Sequence, residues 1–195
     1  MKNIIKNTAI LTVITLVAGV LLGFVYEITK EPIALAKEQA KKEAYQAVMA
    51  EADTFEVLEL ESVDLGIAGC SVDEVVEAKA GEETKGYVIT VTTSEGYGGN
   101  IQVSIGISID GTVKGIEMLS IAETAGLGMN ADTPEFKAQY AEKLVDAFVV
   151  SKTGASAENE IDAISGATIT SNAVTGAVNS AIVYFNNVLG GSVNE

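Results

Sequence analysis

Ile101-Gln102-Val103-Ser104-Ile105-Gly106-Ile107-Ser108-Ile109-Asp110-Gly111-Thr112-Val113-Lys114-Gly115-Ile116 is the stretch from which the fold is read. Every second residue from 101 to 109 is a β-branched aliphatic, against Gln, Ser and Gly in between. A strand turns successive side chains to opposite faces, so this row places one apolar face on a core. Asp110-Gly111 is a two-residue hairpin signal, and Val113–Ile121 returns as the partner strand. Upstream, Phe55–Leu60, Val72–Ala80 and Tyr87–Val91 read as further strands. The expected core is an antiparallel sheet.

Helical patterns flank it. Thr133 is a candidate N-cap and Pro134 suits the first helical position, predicting a helix to about Phe148 with Leu144, Val145 and Phe148 on its apolar face. Residues 151–161 read as a loop. From Asn172, the spacing of Val174, Val178, Ala181, Ile182, Phe185 and Leu189 predicts a second helix, stopped by Gly190-Gly191. The fold class is therefore α+β, an antiparallel sheet packed with helices.

At the N-terminus, Asn7–Tyr26 carries no charge and spans roughly 30 Å as a helix, one bilayer core. Lys2 and Lys6 precede it, which orients the N-terminus to the cytoplasm and the rest of the chain outside. A cleaved signal peptide would have a shorter apolar core with a small-residue site close behind, and Ala34-Leu35-Ala36 lies too far downstream. Ile67-Ala68-Gly69-Cys70 has the look of a lipoprotein box but is more than 40 residues past the apolar run, so Cys70 reads as structural. Ile33–Met49, with Pro32 in its first turn, reads as a helix continuing from the anchor. The domain plan is 1–27, N-terminus and transmembrane helix; 28–52, helical stalk; and 53–195, extracytoplasmic domain.

The 195 residues include 27 acidic and 12 basic side chains, a formal charge of -15. No basic face is available for nucleic acid. There is no His and one Cys, so the commonest general base, the commonest zinc ligand and any Cys cluster for iron–sulfur are missing. No metal site is expected, and redox chemistry would require an organic cofactor.

Three Gly-rich segments could approach a ligand: Gly96-Tyr97-Gly98-Gly99, Glu123-Thr124-Ala125-Gly126-Leu127-Gly128 and Ser165-Gly166-Ala167. None is a dinucleotide fingerprint or a Walker A loop. The third sits in Asp162-Ala163-Ile164-Ser165-Gly166-Ala167-Thr168-Ile169-Thr170-Ser171-Asn172, a hydroxyl-rich loop entering a helix. Such a loop suits a phosphate, and equally a plain helix cap by Thr170 or Ser171.

Asp162-x-x-Ser165-Gly166-Ala167-Thr168-x-Thr170 resembles the flavinylation motif of the FMN-binding domain found in the RnfG component of Rnf electron transport complexes. The same domain occurs in the NqrC component of the Na⁺-translocating NADH:quinone oxidoreductase. The resemblance covers essentially the whole chain, including the Glu-Thr-x-Gly-Leu-Gly segment and the single N-terminal membrane helix. Many members have Pro where this chain has Ala125, and His where it has Ile121.

The resemblance implies FMN joined through its phosphate to Thr170 by a phosphoester, made by a separate flavin transferase from FAD. It also implies that Ser165, Gly166, Ala167 and Thr168 line the phosphate loop and that Asp162 presents the motif to the transferase. Glu123, Thr124, Gly126 and Leu127 would lie near the isoalloxazine, with Tyr97 and Gly98 as further contacts. The implied function is electron relay, without independent turnover, in a membrane complex coupling ferredoxin and NAD to movement of Na⁺ or H⁺. Its partners would be the other components of that complex. The alternatives are the quinone-reductase component, a stand-alone extracytoplasmic flavin reductase, or an anchor with no flavin.

Overall fold

The computed structural model describes residues 1–61, 63 and 65–190. The chain divides into two compact units, Met1–Lys41 and Lys42–Glu195. The first consists of α1, which spans Lys2–Val48 and so runs on into the second; Pro32 lies inside the helix. Its apolar side chains, among them Leu16, Leu22 and Phe24, are exposed along their length. The helix is long and apolar enough to cross a membrane. Thr12 and Thr15 donate their hydroxyls to the carbonyls of Thr8 and Leu11, so neither proton faces outward unpaired, as lipid requires.

The second unit is built on a five-stranded antiparallel meander in the order β1 (Thr54–Leu58), β2 (Cys70–Ala80), β3 (Glu83–Thr93), β4 (Ile101–Ser108) and β5 (Val113–Ser120). The register pairs Val91 with Val103, Ile89 with Ile105 and Tyr87 with Ile107, so the aliphatic row of β4 shares a face with its neighbours on β3. That face, with Ile101, Val103, Ile105 and Ile107 fully buried, is covered by α3 (Thr168–Tyr184), whose Val174, Ala177, Val178 and Ala181 are fully buried.

The other side of β4, read from its small and polar residues, is covered too. The end of α1 packs on it, burying Tyr45, Val48, Met49 and Ala52 against Val76, Ala78 and Val88. A Cβ added at Gly106 would run into the Val48 carbonyl, so glycine is what lets the helix end sit that close. Thr90 and Ser104, buried on the same side, satisfy each other at 3.1 Å.

Two expectations need correction. The hairpin loop holds four residues, 109–112. Ser108 N–H donates to the Thr112 carbonyl, and the Asp110 carboxylate accepts from Ser108 Oγ and Thr112 N–H, which closes a wider turn around Gly111 at φ +89°. Nor does a helix run from 134 to 148. Thr133 does cap α2, accepting from Phe136 N–H, but α2 (Pro134–Lys137) is short and a 3-10 turn ends at Tyr140. Lys143 then bridges to Val113, Leu144 is exposed, and Phe148 is buried just before β6 (Val149–Ser151). Tyr140 decides this, because its ring is wedged edge-on between Phe136 and Phe148, and a continued helix would carry Phe148 away.

β6 pairs in parallel with β7 (Glu160–Asp162), which delivers the chain to α3. The described end of α3 passes into a π-helical turn, Phe185–Leu189; Gly190 follows, and Gly191 lies outside the described residues. Cys70 opens β2 opposite Thr93, is half-buried, and is a free thiol.

Candidate functional site

The site is built where β7 turns into α3. Ala163 N–H donates to the Ser151 carbonyl, and Ile164 N–H donates to Ser171 Oγ at 2.9 Å. Gly166 takes φ +75°, a left-handed conformation that favours glycine and reverses the chain into the helix. α3 begins at Thr168, four residues earlier than its apolar spacing indicates, so Thr170 lies within the first turn rather than before it. Hydroxyl side chains read as loop in sequence. In the fold, Ser171 and Thr175 return their protons to the carbonyls of Ala167 and Ser171, which lets them sit buried inside a helix.

The plain-cap reading fails on geometry. The N-cap is Ala167, and no side chain caps the helix. Ser171 Oγ is spent on Ile164 N–H and the Ala167 carbonyl. Thr170 donates to Glu123 Oε2 at 3.1 Å. Among the described residues no side chain caps the first-turn amides, and the Glu123 carboxylate beside Thr170 is the negative group at this helix start, a place that favours an anion.

Glu123, only 9% exposed, joins three segments. Its Oε2 accepts from Thr170, and its Oε1 accepts from Gly98 N–H at 3.0 Å. The segment after it folds tightly: Leu127 N–H and Met129 N–H both reach the Thr124 carbonyl, with Gly126 at φ +76°. Gly128 comes against the pair itself. A Cβ there would lie 2.6 Å from Glu123 Oε2 and 2.7 Å from Thr170 Oγ1.

Between these segments lies a cavity of about 610 Å³, within the range of small-molecule sites. Tyr97, Glu123, Thr124, Leu127 and Gly128 line one side, and Gly166, Ala167, Thr168, Ile169 and Thr170 the other. Eight of the residues expected from sequence are thus brought together. Gly98 is tied in through Glu123, and Gly126 shapes the turn. Ser165 is exposed and does not line the cavity. Neither does Asp162, whose carboxylate accepts from Ala155 N–H while its own N–H donates to Gln139 Oε1 at 2.6 Å.

Gly128 and Ile169 were not singled out from sequence. Gly128 had a readable signal, since it closes the Glu-Thr-x-Gly-Leu-Gly segment. Ile169, exposed at a helix start, had none. Glu123 sits against the Thr170 hydroxyl.

Glu123 and Tyr97 are the ionisable groups in the lining, and no Lys or Arg is among them. The polar surface offered to an anion is hydroxyl and amide, and the rest is Leu127, Ile169, Ala167 and glycine backbone, suited to a flat apolar ring. A larger cleft of about 710 Å³ near Asp110, Asp146 and Phe185 presents two carboxylates and no helix N-terminus. A third, by Cys70 and Tyr184, is about 450 Å³. Neither holds a Gly-rich segment facing hydroxyls. Among the described residues no group of His, Cys, Asp and Glu is arranged for a metal.

The FMN-binding domain family matches residues 96–183, which contain every lining residue of the 610 Å³ cavity, and the RnfG N-terminal region matches residues 1–48. The G component of the proton-translocating ferredoxin:NAD(+) oxidoreductase complex of Clostridium ljungdahlii is 31% identical over 190 residues, 97% of this chain and 96% of that protein. Its counterpart in the Na(+)-translocating complex of Acetobacterium woodii is 34% identical, covering 96% of this chain and 94% of its own. The G component of the ion-translocating oxidoreductase complex of Methanosarcina acetivorans is also 34% identical, over 94% and 95%. The crystal structure of Shewanella oneidensis NqrC superposes with a TM-score of 0.52 over 73% of this chain and 84% of that one, at 15% identity, a likeness of fold. With an FMN-binding domain behind an RnfG-type N-terminal helix, and relatives matched end to end, the chain belongs to the RnfG family of ion-translocating oxidoreductase complexes.

Proposed function

We propose that this chain carries FMN covalently, through a phosphoester to Thr170, and relays electrons within an Rnf-type ferredoxin:NAD oxidoreductase complex. The observation that carries the covalent reading is the chemistry of the cavity. Its lining holds a hydroxyl at the first turn of α3 and no cationic side chain. A dianionic FMN phosphate held there by amides and a dipole worth about 0.3–1 kcal/mol would escape readily, whereas a bond to Thr170 retains it.

The donor set fits the group. The amides of α3 and the Thr168 hydroxyl would hold the phosphate, and Leu127, Ile169 and the glycine backbone would bound the ring. Bound FMN supplies one- and two-electron redox chemistry that this chain's own side chains lack. Glu123 and Gly98 hold the two Gly-rich segments together around it. Maturation calls for a flavin transferase that uses FAD. The positive flank Lys2 and Lys6 supports a cytoplasmic N-terminus, with the FMN-binding domain on the outer side of the cell membrane. A tether is useful there, since a lost cofactor could not readily be replaced. End-to-end identity with RnfG proteins favours the Rnf assembly over the quinone-reductase one, because the NqrC likeness extends to fold alone.

The test is co-expression with the transferase, followed by in-gel fluorescence under denaturing conditions and peptide mapping of residues 158–180. The wild type should show a flavin band with FMN mass on Thr170, and Thr170→Ala should show none. A band that persists in the variant, or flavin mapped to another residue, refutes the assignment.

A further inference from the structure

We propose that Glu123 is a catalytic base for the chain's own flavinylation, taking the proton from the Thr170 hydroxyl as it attacks. The proposal rests on the covalent reading above. The hydroxyl proton already points at Glu123 Oε2, 3.1 Å away, so the transfer needs no rearrangement of side chains. The carboxylate's other oxygen is held by Gly98 N–H, which fixes its direction. Gly128 leaves both reacting atoms clear of a side chain, and Thr170, 1% exposed, meets the outside through the cavity. The chain has no His, and Glu123 is the one carboxylate in the cavity lining.

The step balances without a redox change. Thr170 Oγ1 forms a P–O bond to the flavin-side phosphorus of FAD. The pyrophosphate P–O bond on that phosphorus breaks, and AMP leaves with its electron pair. The Thr170 proton passes to Glu123.

The experiment uses the full chain in detergent with purified flavin transferase and FAD, following single-turnover flavinylation by intact mass and folding by circular dichroism. Glu123→Gln, which keeps the shape but not the base, should slow attachment by about 100-fold or more, within the usual 10²–10⁴ for general-base catalysis. Glu123→Ala opens space beside the hydroxyl. Added formate should restore its rate at least several-fold and chloride should not, a readout that a merely structural role would not move. Folded Glu123→Gln reacting within threefold of wild type overturns the proposal, as does formate doing no more than chloride. If Glu123→Gln does not fold, the formate arm decides. A wild type that acquires no flavin, or acquires it away from Thr170, overturns the covalent reading itself and is distinguished from failure of the base alone.

Discussion

Replacing Gly128 by Ala tests the geometry of the site with a single methyl group. The backbone of Gly128 is outside the left-handed region, so alanine meets no conformational penalty and the effect is one of contact. The added Cβ would lie 2.6 Å from Glu123 Oε2 and 2.7 Å from Thr170 Oγ1. Ordinary contact requires each to retreat by roughly 0.7–0.8 Å, which stretches their 3.1 Å hydrogen bond beyond useful length. Overpacking costs about 1–3 kcal/mol, and loss of a hydrogen bond to a carboxylate about 1.5–3 kcal/mol. Allowing for partial relaxation, the sum is about 2–4 kcal/mol. For a unit of this size that lowers the melting temperature by roughly 5–15 °C in thermal circular dichroism. Gly115→Ala is the control, because a Cβ there meets nothing within 4 Å. The Gly128 penalty should shrink by about 1 kcal/mol or more in a Thr170→Ala background, where one of the two clashing atoms is gone. A Gly128→Ala protein melting within about 2 °C of wild type, with an unchanged flavinylation rate, would refute the close packing of Glu123, Thr170 and Gly128.

Two further outcomes concern the scaffold. Tyr140→Phe should cost about 1 kcal/mol in chemical denaturation, because Tyr140 Oη donates to Thr175 Oγ1 at 2.8 Å while the Thr175 proton is committed to the Ser171 carbonyl. Flavin attachment should survive it. Asp110 is held below the usual carboxylate range, first by the Ser108 hydroxyl and then by Thr112 N–H. A depressed carboxyl contributes stability above its unfolded value and loses it as pH falls through the folded one. Asp110→Asn should therefore be less stable than wild type near neutral pH and should converge with it in acid. Melting curves that keep a constant gap down to the lowest pH would contradict this.

How much of the site could be read in advance depended on the distance over which each contact acts. The β4 row was legible because strand alternation is local, and Thr133-Pro134 because a cap is made within a turn. The extent of the helix after Pro134 was not, since it is settled by Tyr140 packing edge-on against Phe148 and by Lys143 pairing with Val113 across the unit. The start of α3 was misplaced because Thr168 and Thr170 lack the apolar signal that marks a helix. The covering of Ser104 and Gly106 was hidden for the opposite reason: small residues look solvent-facing until a helix end is found resting on them.

The sequence by itself determined the apolar N-terminal helix, the antiparallel sheet and the hydroxyl motif ending at Thr170, because hydropathy, period and motif spacing are properties of neighbours along the chain. Only the tertiary structure decided what Thr170 faces. Glu123 is 47 residues away in sequence and Gly98 a further 25, and folding the meander against α3 brings them to one carboxylate. Nothing near Thr170 along the chain announces a carboxylate partner for its hydroxyl, because that partner is supplied by long-range packing.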